Sequence, residues 1–213
     1  MKDLARTLFV VVLLTTPAAF AQKWEFGGGA GGGFYTSKDV SAPSGSAAAK
    51  FSSNIAASAW LANNNGKRWG GELRYDYQRG DAQLNSGGKT ANFGAQTQAV
   101  HYDFQYHFAP GESNVRPFVG FGGGFKMYQG TGTETISQPL SQIGLLTKTT
   151  DLKGLVSVGA GIKFRVARNI GFRAEVHDYL TPFPQKVIAP SVGAKVGGWI
   201  QDIVVSFGIS VLF

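Results

Sequence analysis

The stretch that decides the fold is residues 198–213, GWIQDIVVSFGISVLF. Its side chains alternate between the two faces of an extended strand. One face is continuously apolar and consists of Ile203, Val205, Phe207, Ile209, Val211 and Phe213. The other face is small and partly polar and consists of Asp202, Val204, Ser206, Gly208, Ser210 and Leu212. An apolar strand at a sheet edge promotes aggregation unless another strand pairs with it. We therefore expect closure into a barrel.

This strand resembles the assembly signal of bacterial outer-membrane β-barrel proteins, which has alternating apolar residues and a terminal aromatic residue. The matching positions are Val205, Phe207, Ile209, Val211 and Phe213. The resemblance implies that the barrel-assembly machinery recognises this strand. It also implies that outer-membrane lipid and lipopolysaccharide surround the folded protein.

The amino-terminal segment has the features of a secretory signal peptide. Its three regions are a basic start, an apolar run and a small-residue cleavage site, formed by Lys2 and Arg6, residues 8–14, and Ala19 and Ala21. We predict a cleaved signal at 1–21, cut after Ala21, and a barrel domain at 22–213. The apolar run is too short for a spanning helix, which needs about 20 residues.

Composition favours a β domain and gives no sign of a nucleic-acid partner. The chain has 213 residues, 30 Gly and no Cys; 13% are aromatic and only 15% are charged. Without Cys, disulfides cannot supply its stability. The formal net charge is +7, but the basic residues are scattered singly and form no Lys/Arg cluster. We predict no nucleic-acid partner and no cofactor.

The same alternation recurs in seven earlier stretches. They are residues 24–35, 51–61, 68–78, 100–108, 116–127, 151–166 and 170–179. The connections alternate long and short, with long loops predicted at 37–49, 80–92, 128–150 and 181–197, and short turns at 62–67, 109–114 and 167–169. This pattern predicts an all-β fold, an eight-stranded antiparallel up-and-down transmembrane β-barrel. Both termini are then expected on the short-turn, periplasmic side.

A second resemblance lies in residues 159–179, GAGIKFRVARNIGFRAEVHDY. The stretch is similar to the penultimate hairpin of small outer-membrane barrels related to OmpA and the opacity proteins. The resemblance implies the barrel fold and a location in the bacterial outer membrane. Because such folds host several functions, it does not assign one.

The predicted interior carries charges that we expect to pair across the lumen. Eight strands leave an interior only wide enough for side chains. The inward charged residues are Arg68, Glu72, Arg74, Asp76, Asp103, Lys126, Lys163, Arg165, Arg173 and Glu175. An unpaired charge there is costly, so these residues should form a network. Basic residues outnumber acidic ones in this set, which predicts some water or an anion inside.

Histidines near carboxylates raise metal and enzyme alternatives. His101, Asp103 and His107 share a face, but residues six apart on a strand are about 20 Å distant, so the two histidines cannot chelate one ion. Some small barrels are lipid A deacylases with a His and a Ser close together on one strand. No His-x-Ser occurs here; Glu175 and His177 would need a Ser from another strand. We predict neither a metal site nor catalytic residues.

A soluble lipocalin-like barrel that binds a small apolar ligand is the other alternative. It requires an apolar interior and a charged exterior. The sequence instead predicts an apolar exterior and a charged interior, which favours a membrane barrel. The aromatic residues expected at its membrane interfaces are Trp24, Trp69, Tyr75, Tyr77, Tyr102, Tyr106, Phe108 and Trp199. We expect a monomer with a structural or surface-interaction role, and slow passage of small solutes stays open as an additional activity.

Overall fold

The structure, a computed structural model, describes residues 24–64, 68–135 and 137–213. The predicted signal peptide and its cleavage site lie outside these ranges. The strands are β1 (Trp24–Tyr35), β2 (Lys38–Ala42), β3 (Gly45–Phe51), β4 (Asn54–Asn63), β5 (Trp69–Ser86), β6 (Lys89–His107), β7 (Val115–Gly130), β8 (Gly144–Leu146), β9 (Thr150–Ala167), β10 (Ile170–Pro182), β11 (Ile188–Pro190) and β12 (Trp199–Leu212). Within the described ranges, no helix has the length and apolar character needed to cross a membrane.

Eight of these strands close into an antiparallel ring, which confirms the predicted fold. The order around the ring is β1, β4, β5, β6, β7, β9, β10 and β12. The last strand pairs with the first in an unbroken register from Glu25↔Leu212 to Tyr35↔Asp202. Every ring strand therefore has a partner on both sides, and the apolar face of β12 does not lie at a sheet edge.

The two faces of the ring have opposite chemistry. Along β12, the apolar residues point outward, and Phe207 and Ile209 are 56% and 62% exposed. The alternate residues point inward, and Asp202 and Val204 are fully buried. The same alternation holds along β6, where outward Val100, Tyr102 and Phe104 separate buried His101 and Asp103. An apolar exterior around a polar interior suits lipid on the outside.

The strands extend further at the long-loop end than the sequence predicted. Residues 37–49, predicted to be a loop, contain most of the β2–β3 hairpin. Residues 80–92, also predicted to be a loop, belong to β5 and β6, which meet at Gly87 and Gly88, both with positive φ. Polar residues alternate there with small inward ones such as Ala82 and Ala91, which obscures the strand pattern.

Other predicted boundaries at the long-loop end also differ from the structure. The predicted strand at 51–61 is divided between two strands, because Phe51 ends β3 and is 2% exposed, whereas β4 begins at Asn54. The predicted loops at 128–150 and 181–197 contain the pairing of β8 with β11 and the ends of β7 and β10. At the opposite end, the chain turns at 108–114 and at 168–169, as predicted. The predicted turn at 62–67 lies partly outside the described residues.

Candidate functional site in the barrel lumen

The middle of the lumen is occupied by Arg74 and the carboxylates around it. Arg74 donates from Nη1 to Glu72 Oε1 at 3.2 Å, from Nε to Asp76 Oδ1 at 3.1 Å, and from Nη2 to Glu175 Oε1 at 2.5 Å. Glu72, Arg74 and Asp76 are alternate residues of β5, so they share its inward face, while Glu175 reaches them from β10. The side chains of all four are essentially inaccessible to solvent.

A second arginine extends this arrangement across the barrel. Arg173 forms ion pairs with Glu72 Oε2 at 2.7 Å and with Glu175 Oε2 at 2.6 Å. Two arginines and two glutamates thus bridge β5 and β10. Both guanidinium groups also lie over the indole ring of Trp60, at 5.4 Å for Arg74 and 4.8 Å for Arg173. These contacts compensate in part for the cost of burying the charges.

Two histidines lie on the loop side of the arginine pair. His101 Nδ1 is 3.0 Å from Asp103 Oδ1, and its Nε2 is 3.3 Å from Asp76 Oδ2. His177 lies between Asp103 and Glu175, at 3.7 Å and 3.5 Å. The imidazoles therefore link carboxylates of three strands.

The serines near His177 donate to carboxylates. Ser157 Oγ donates to Asp103 Oδ2 at 3.1 Å, and Ser206 Oγ donates to Glu175 Oε1 at 3.1 Å. A serine nucleophile needs its hydroxyl directed at a base, and neither hydroxyl has a hydrogen bond to a histidine. Of the pair considered for catalysis, Glu175 binds Arg74 and Arg173, and the ring nitrogens of His177 make no hydrogen bond.

Two further ion pairs lie towards the ends of the lumen. Lys126 contacts Asp202, whose carboxylate also accepts a hydrogen bond from Gln78 Nε2 at 2.6 Å. Lys163 donates to Glu25 Oε2 at 2.8 Å and to Gln105 Oε1 at 3.1 Å. We call the whole set the lumen network, and its charged and histidine members are Glu25, Glu72, Arg74, Asp76, His101, Asp103, Lys126, Lys163, Arg173, Glu175, His177 and Asp202.

Two residues of the predicted charge set lie outside this network. Arg68 precedes the first residue of β5, is exposed, and donates from Nη1 to the Phe108 carbonyl at 3.1 Å. Arg165 lies near the end of β9 and donates from Nη2 to the Gly111 carbonyl at 2.8 Å. Both contact the short turn at 108–114, because the strands end there.

The predicted excess of basic charge in the lumen is also wrong. The sequence prediction omitted Glu25 and Asp202 from the charge set, although alternation within their own strands places both inward. The fully buried acidic residues are Glu25, Glu72, Asp76, Asp103, Asp151, Glu175 and Asp202. The buried lysines and arginines are Arg74, Arg116, Lys126, Lys163 and Arg173. Acidic side chains therefore outnumber these cations in the part of the barrel that the structure describes.

The long-loop end of the lumen is closed by an apolar cluster, which we call the cap. Its buried residues are Val40, Ala47, Ala49, Phe51, Ala82, Leu84, Ala91, Phe93, Ala95, Tyr128, Leu140, Ile143, Leu146, Phe183, Val187, Ile188 and Ile200. They come from β2, β3, β8 and β11, from the extended ring strands, and from the loops between them. The loops that contribute to the cap contain only short apolar runs, so the cap was not predicted.

The described ranges contain no group of three or more His, Asp or Glu side chains arranged to hold a metal ion. His101 faces Asp76 and Asp103, whereas His107 lies near the short-turn end, with Nδ1 3.2 Å from the Arg68 carbonyl oxygen. The structure thus keeps the two histidines in different surroundings.

The closed ring with a polar interior agrees with comparisons to known proteins. A family model described as "Outer membrane protein beta-barrel domain" matches residues 7–197. The chain belongs to this outer-membrane β-barrel family. No curated protein sequence matches the chain.

Two solved structures share the fold. Neisserial surface protein A is 13% identical, with a TM-score of 0.54, and the match covers 90% of this chain and 97% of that one. The outer membrane protein OprG from Pseudomonas aeruginosa is 13% identical, with a TM-score of 0.55, and the match covers 88% and 96%. At this identity the likeness concerns the fold alone.

Membership of the outer-membrane β-barrel family gives the protein its location. It resides in the bacterial outer membrane, as predicted. In this family's architecture the short turns face the periplasm and the long loops face outward. The lipocalin-like alternative is contradicted, because a soluble barrel would not carry lipid-compatible residues over its outer face and ion pairs within.

Proposed function

We propose that the protein is a closed, monomeric outer-membrane barrel that has a structural role and presents its cap at the cell surface. The observation that carries this proposal is the double obstruction of the lumen. Ion pairs bridge β5 and β10 through Arg74, Arg173 and Glu175. Beyond them, the apolar cap fills the long-loop end. A solute would have to displace both layers to pass.

The lumen network has the properties of a structural element. Arg74 has a carboxylate partner for each of Nε, Nη1 and Nη2, and none of the four side chains involved is accessible to solvent. Breaking a buried, paired charge costs several kcal/mol. Such a network favours one rigid arrangement over an open passage, so the proposed function does not include solute passage.

The same geometry supports a non-enzymatic role. His177 and Glu175 face the lumen, where their side chains are about 1% exposed, and the nearby serines donate to carboxylates. A lipid substrate reaches the barrel from its outer face, which is separated from these residues by the strand ladder. Expression of the protein should therefore leave the mass of lipid A unchanged; a deacylated product would contradict this part of the proposal.

Conductance measurements test the closed lumen. The purified barrel is inserted into planar lipid bilayers in potassium chloride, and the proposal predicts no regular current steps. A double variant, Arg74→Ser with Glu175→Ser, tests the inner layer alone, because it removes one ion pair that bridges β5 and β10 and leaves the cap in place. Regular steps from the unmodified protein would overturn the closed-lumen proposal.

The absence of native cysteine allows a direct test of surface presentation. Lys89→Cys lies next to the tip of the β5–β6 hairpin, and Glu112→Cys lies in a short turn at the other end. A polyethylene glycol maleimide too large to cross the outer membrane should label the first variant in intact cells. It should label the second only after permeabilisation. Labelling in the reverse order would contradict the proposed orientation.

A further inference from the structure

A buried arginine at the short-turn mouth of the lumen lacks a partner. The Arg116 side chain is nine-tenths buried, with 7% of the residue exposed, and its Nε and Nη2 atoms make no hydrogen bond. Arg165 Nε is buried without a hydrogen bond as well. His107 Nε2 beside them is an unused acceptor, because His107 Nδ1 donates to the Arg68 carbonyl oxygen at 3.2 Å. Buried polar groups are nearly always satisfied, so the unused N–H groups of the two arginines require an explanation.

Strand register brings these three side chains to one place. Arg116 of β7 lies directly opposite Lys163 of β9, and Arg165 is the next residue on the same face of β9. On the other side of β7, His107 of β6 pairs with Phe118, the next inward residue after Arg116. Neighbouring positions of this kind lie within reach of long side chains. Three adjacent strands thus contribute to one mouth.

The buried carboxylate at this end of the lumen is committed to another cation. Glu25 pairs with Lys163 at 2.8 Å. Within the described ranges, a carboxylate lies within 4.0 Å of each of Arg74, Lys126, Lys153, Lys163 and Arg173. Arg116 and Arg165 are outside that set. Arg165 uses Nη2 on the Gly111 carbonyl, which leaves its Nε unused.

We propose that Arg116 and Arg165, with His107 lining one side, form an oxyanion site that takes a phosphate group at the periplasmic mouth. A buried guanidinium without a counterion is costly, and an anion supplied from the periplasm would remove that cost. Planar guanidinium groups match the geometry of phosphate oxygens, and two of them on adjacent strands provide several donors. The site does not depend on the proposed structural role.

The phosphate group that binds there could belong to free inorganic phosphate or to the headgroup of an anionic phospholipid in the periplasmic leaflet. The first arm of the test measures inorganic phosphate binding to the full chain in zwitterionic detergent by calorimetry, with chloride at matched ionic strength. The second arm transfers the protein to nanodiscs containing phosphatidylglycerol and detects retained lipid by native mass spectrometry.

The variants are Arg116→Gln, Arg165→Gln and a control, Arg79→Gln. Arg79 is exposed on β5, far along the strand from the short turns, and its replacement removes the same charge. Loss of either site arginine should weaken binding about tenfold, because each supplies charge-assisted hydrogen bonds. Arg165 is only half-buried, so its variant tests the site even where Arg116→Gln fails to fold.

Each outcome decides the proposal. Phosphate binding that both site variants weaken and the control retains supports a free-anion site. Selective retention of phosphatidylglycerol with the same variant pattern supports a headgroup site. Absence of binding in both arms, or equal loss in Arg79→Gln, overturns the proposal.

Discussion

Gly27 of β1 lies directly opposite Trp60 of β4, and a Cβ atom on Gly27 would come within 2.5 Å of Trp60 Cε2. The indole lies inside the barrel and donates from Nε1 to Glu25 Oε1 at 3.3 Å. Glycine at position 27 therefore provides the space that a large aromatic side chain occupies beside the two lumen arginines. An inward glycine thus makes room here for a long side chain of a neighbouring strand.

Replacement of Gly27 by Ala should destabilise the barrel by about 1–3 kcal/mol, because the new methyl group overpacks the site. Urea unfolding of the refolded protein in lipid vesicles, followed by tryptophan fluorescence, measures the change. Gly28→Ala is the matched control. Gly28 points outward, and the nearest atom to its added Cβ is the Ser58 carbonyl oxygen at 3.4 Å. Equal destabilisation by the two substitutions would contradict the packing argument.

Period-two alternation made the membrane part of this barrel predictable from sequence. In β6, Tyr102 and Phe104 face lipid and Asp103 faces the lumen. The polarity of each residue therefore indicates the face of the strand on which it lies. Beyond the membrane this contrast disappears, because both faces of a strand can be polar or small. Residues 80–92 were predicted to be a loop for this reason, although they continue β5 and β6.

The composition of the candidate site was only partly predictable. Glu72, Arg74 and Asp76 were placed inward correctly, since alternation fixes their face. Their partners depend on which strands lie across the barrel, and the pattern within one strand does not show which strands those are. Arg68 was misassigned because alternation fails at a strand end, one residue before Trp69 begins β5. The cap also joins distant parts of the chain, as where β8 pairs with β11.

The buried pair of Lys126 and Asp202 should show strong energetic coupling. Lys126→Met leaves Asp202 buried with the Gln78 amide as its remaining hydrogen-bond partner, so we expect a loss of about 3–5 kcal/mol. Adding Asp202→Asn removes the unpaired charge and should restore much of the stability. Urea unfolding of both single variants and the double variant gives the coupling energy.

Lys148→Met is the control for this cycle, because Lys148 is exposed in the segment between β8 and β9. Its effect should stay within about 0.5 kcal/mol. Strictly additive losses from Lys126→Met and Asp202→Asn would show that the two side chains do not act as a pair.

The cap should open without loss of the membrane barrel. Leu84 is fully buried in the cap, and Leu84→Ala should cost about 2–5 kcal/mol locally through the cavity that it leaves. Limited proteolysis of the folded variant should then cleave residues 131–149 faster. The heat-dependent shift in gel mobility that marks a closed barrel should persist.

Gln83→Ala is the matched control for the cap, since Gln83 is the neighbour of Leu84 on the opposite, partly exposed face of β5. It should leave the rate of proteolysis unchanged. Loss of the mobility shift in Leu84→Ala would mean that the cap and the ring form a single cooperative unit.

Phe213 should matter more for assembly in cells than for the stability of the folded barrel. Its backbone is held by two hydrogen bonds to Trp24, each 3.0 Å long, and its side chain is 41% exposed. Phe213→Ala leaves that backbone pairing intact, so refolding into lipid vesicles should change little. The resemblance of this strand to the assembly signal predicts a several-fold lower amount of folded protein in the outer membrane.

Phe121→Ala separates this effect from a general loss of lipid contacts, because Phe121 is an outward phenylalanine of β7 with 57% exposure. Both variants lose a similar lipid-facing ring and should refold in vitro with similar yield. In cells, the folded fraction on unboiled gels should fall for Phe213→Ala only. A similar fall for Phe121→Ala would assign the effect to membrane stability, and the side chain of Phe213 would then have no special part in recognition by the assembly machinery.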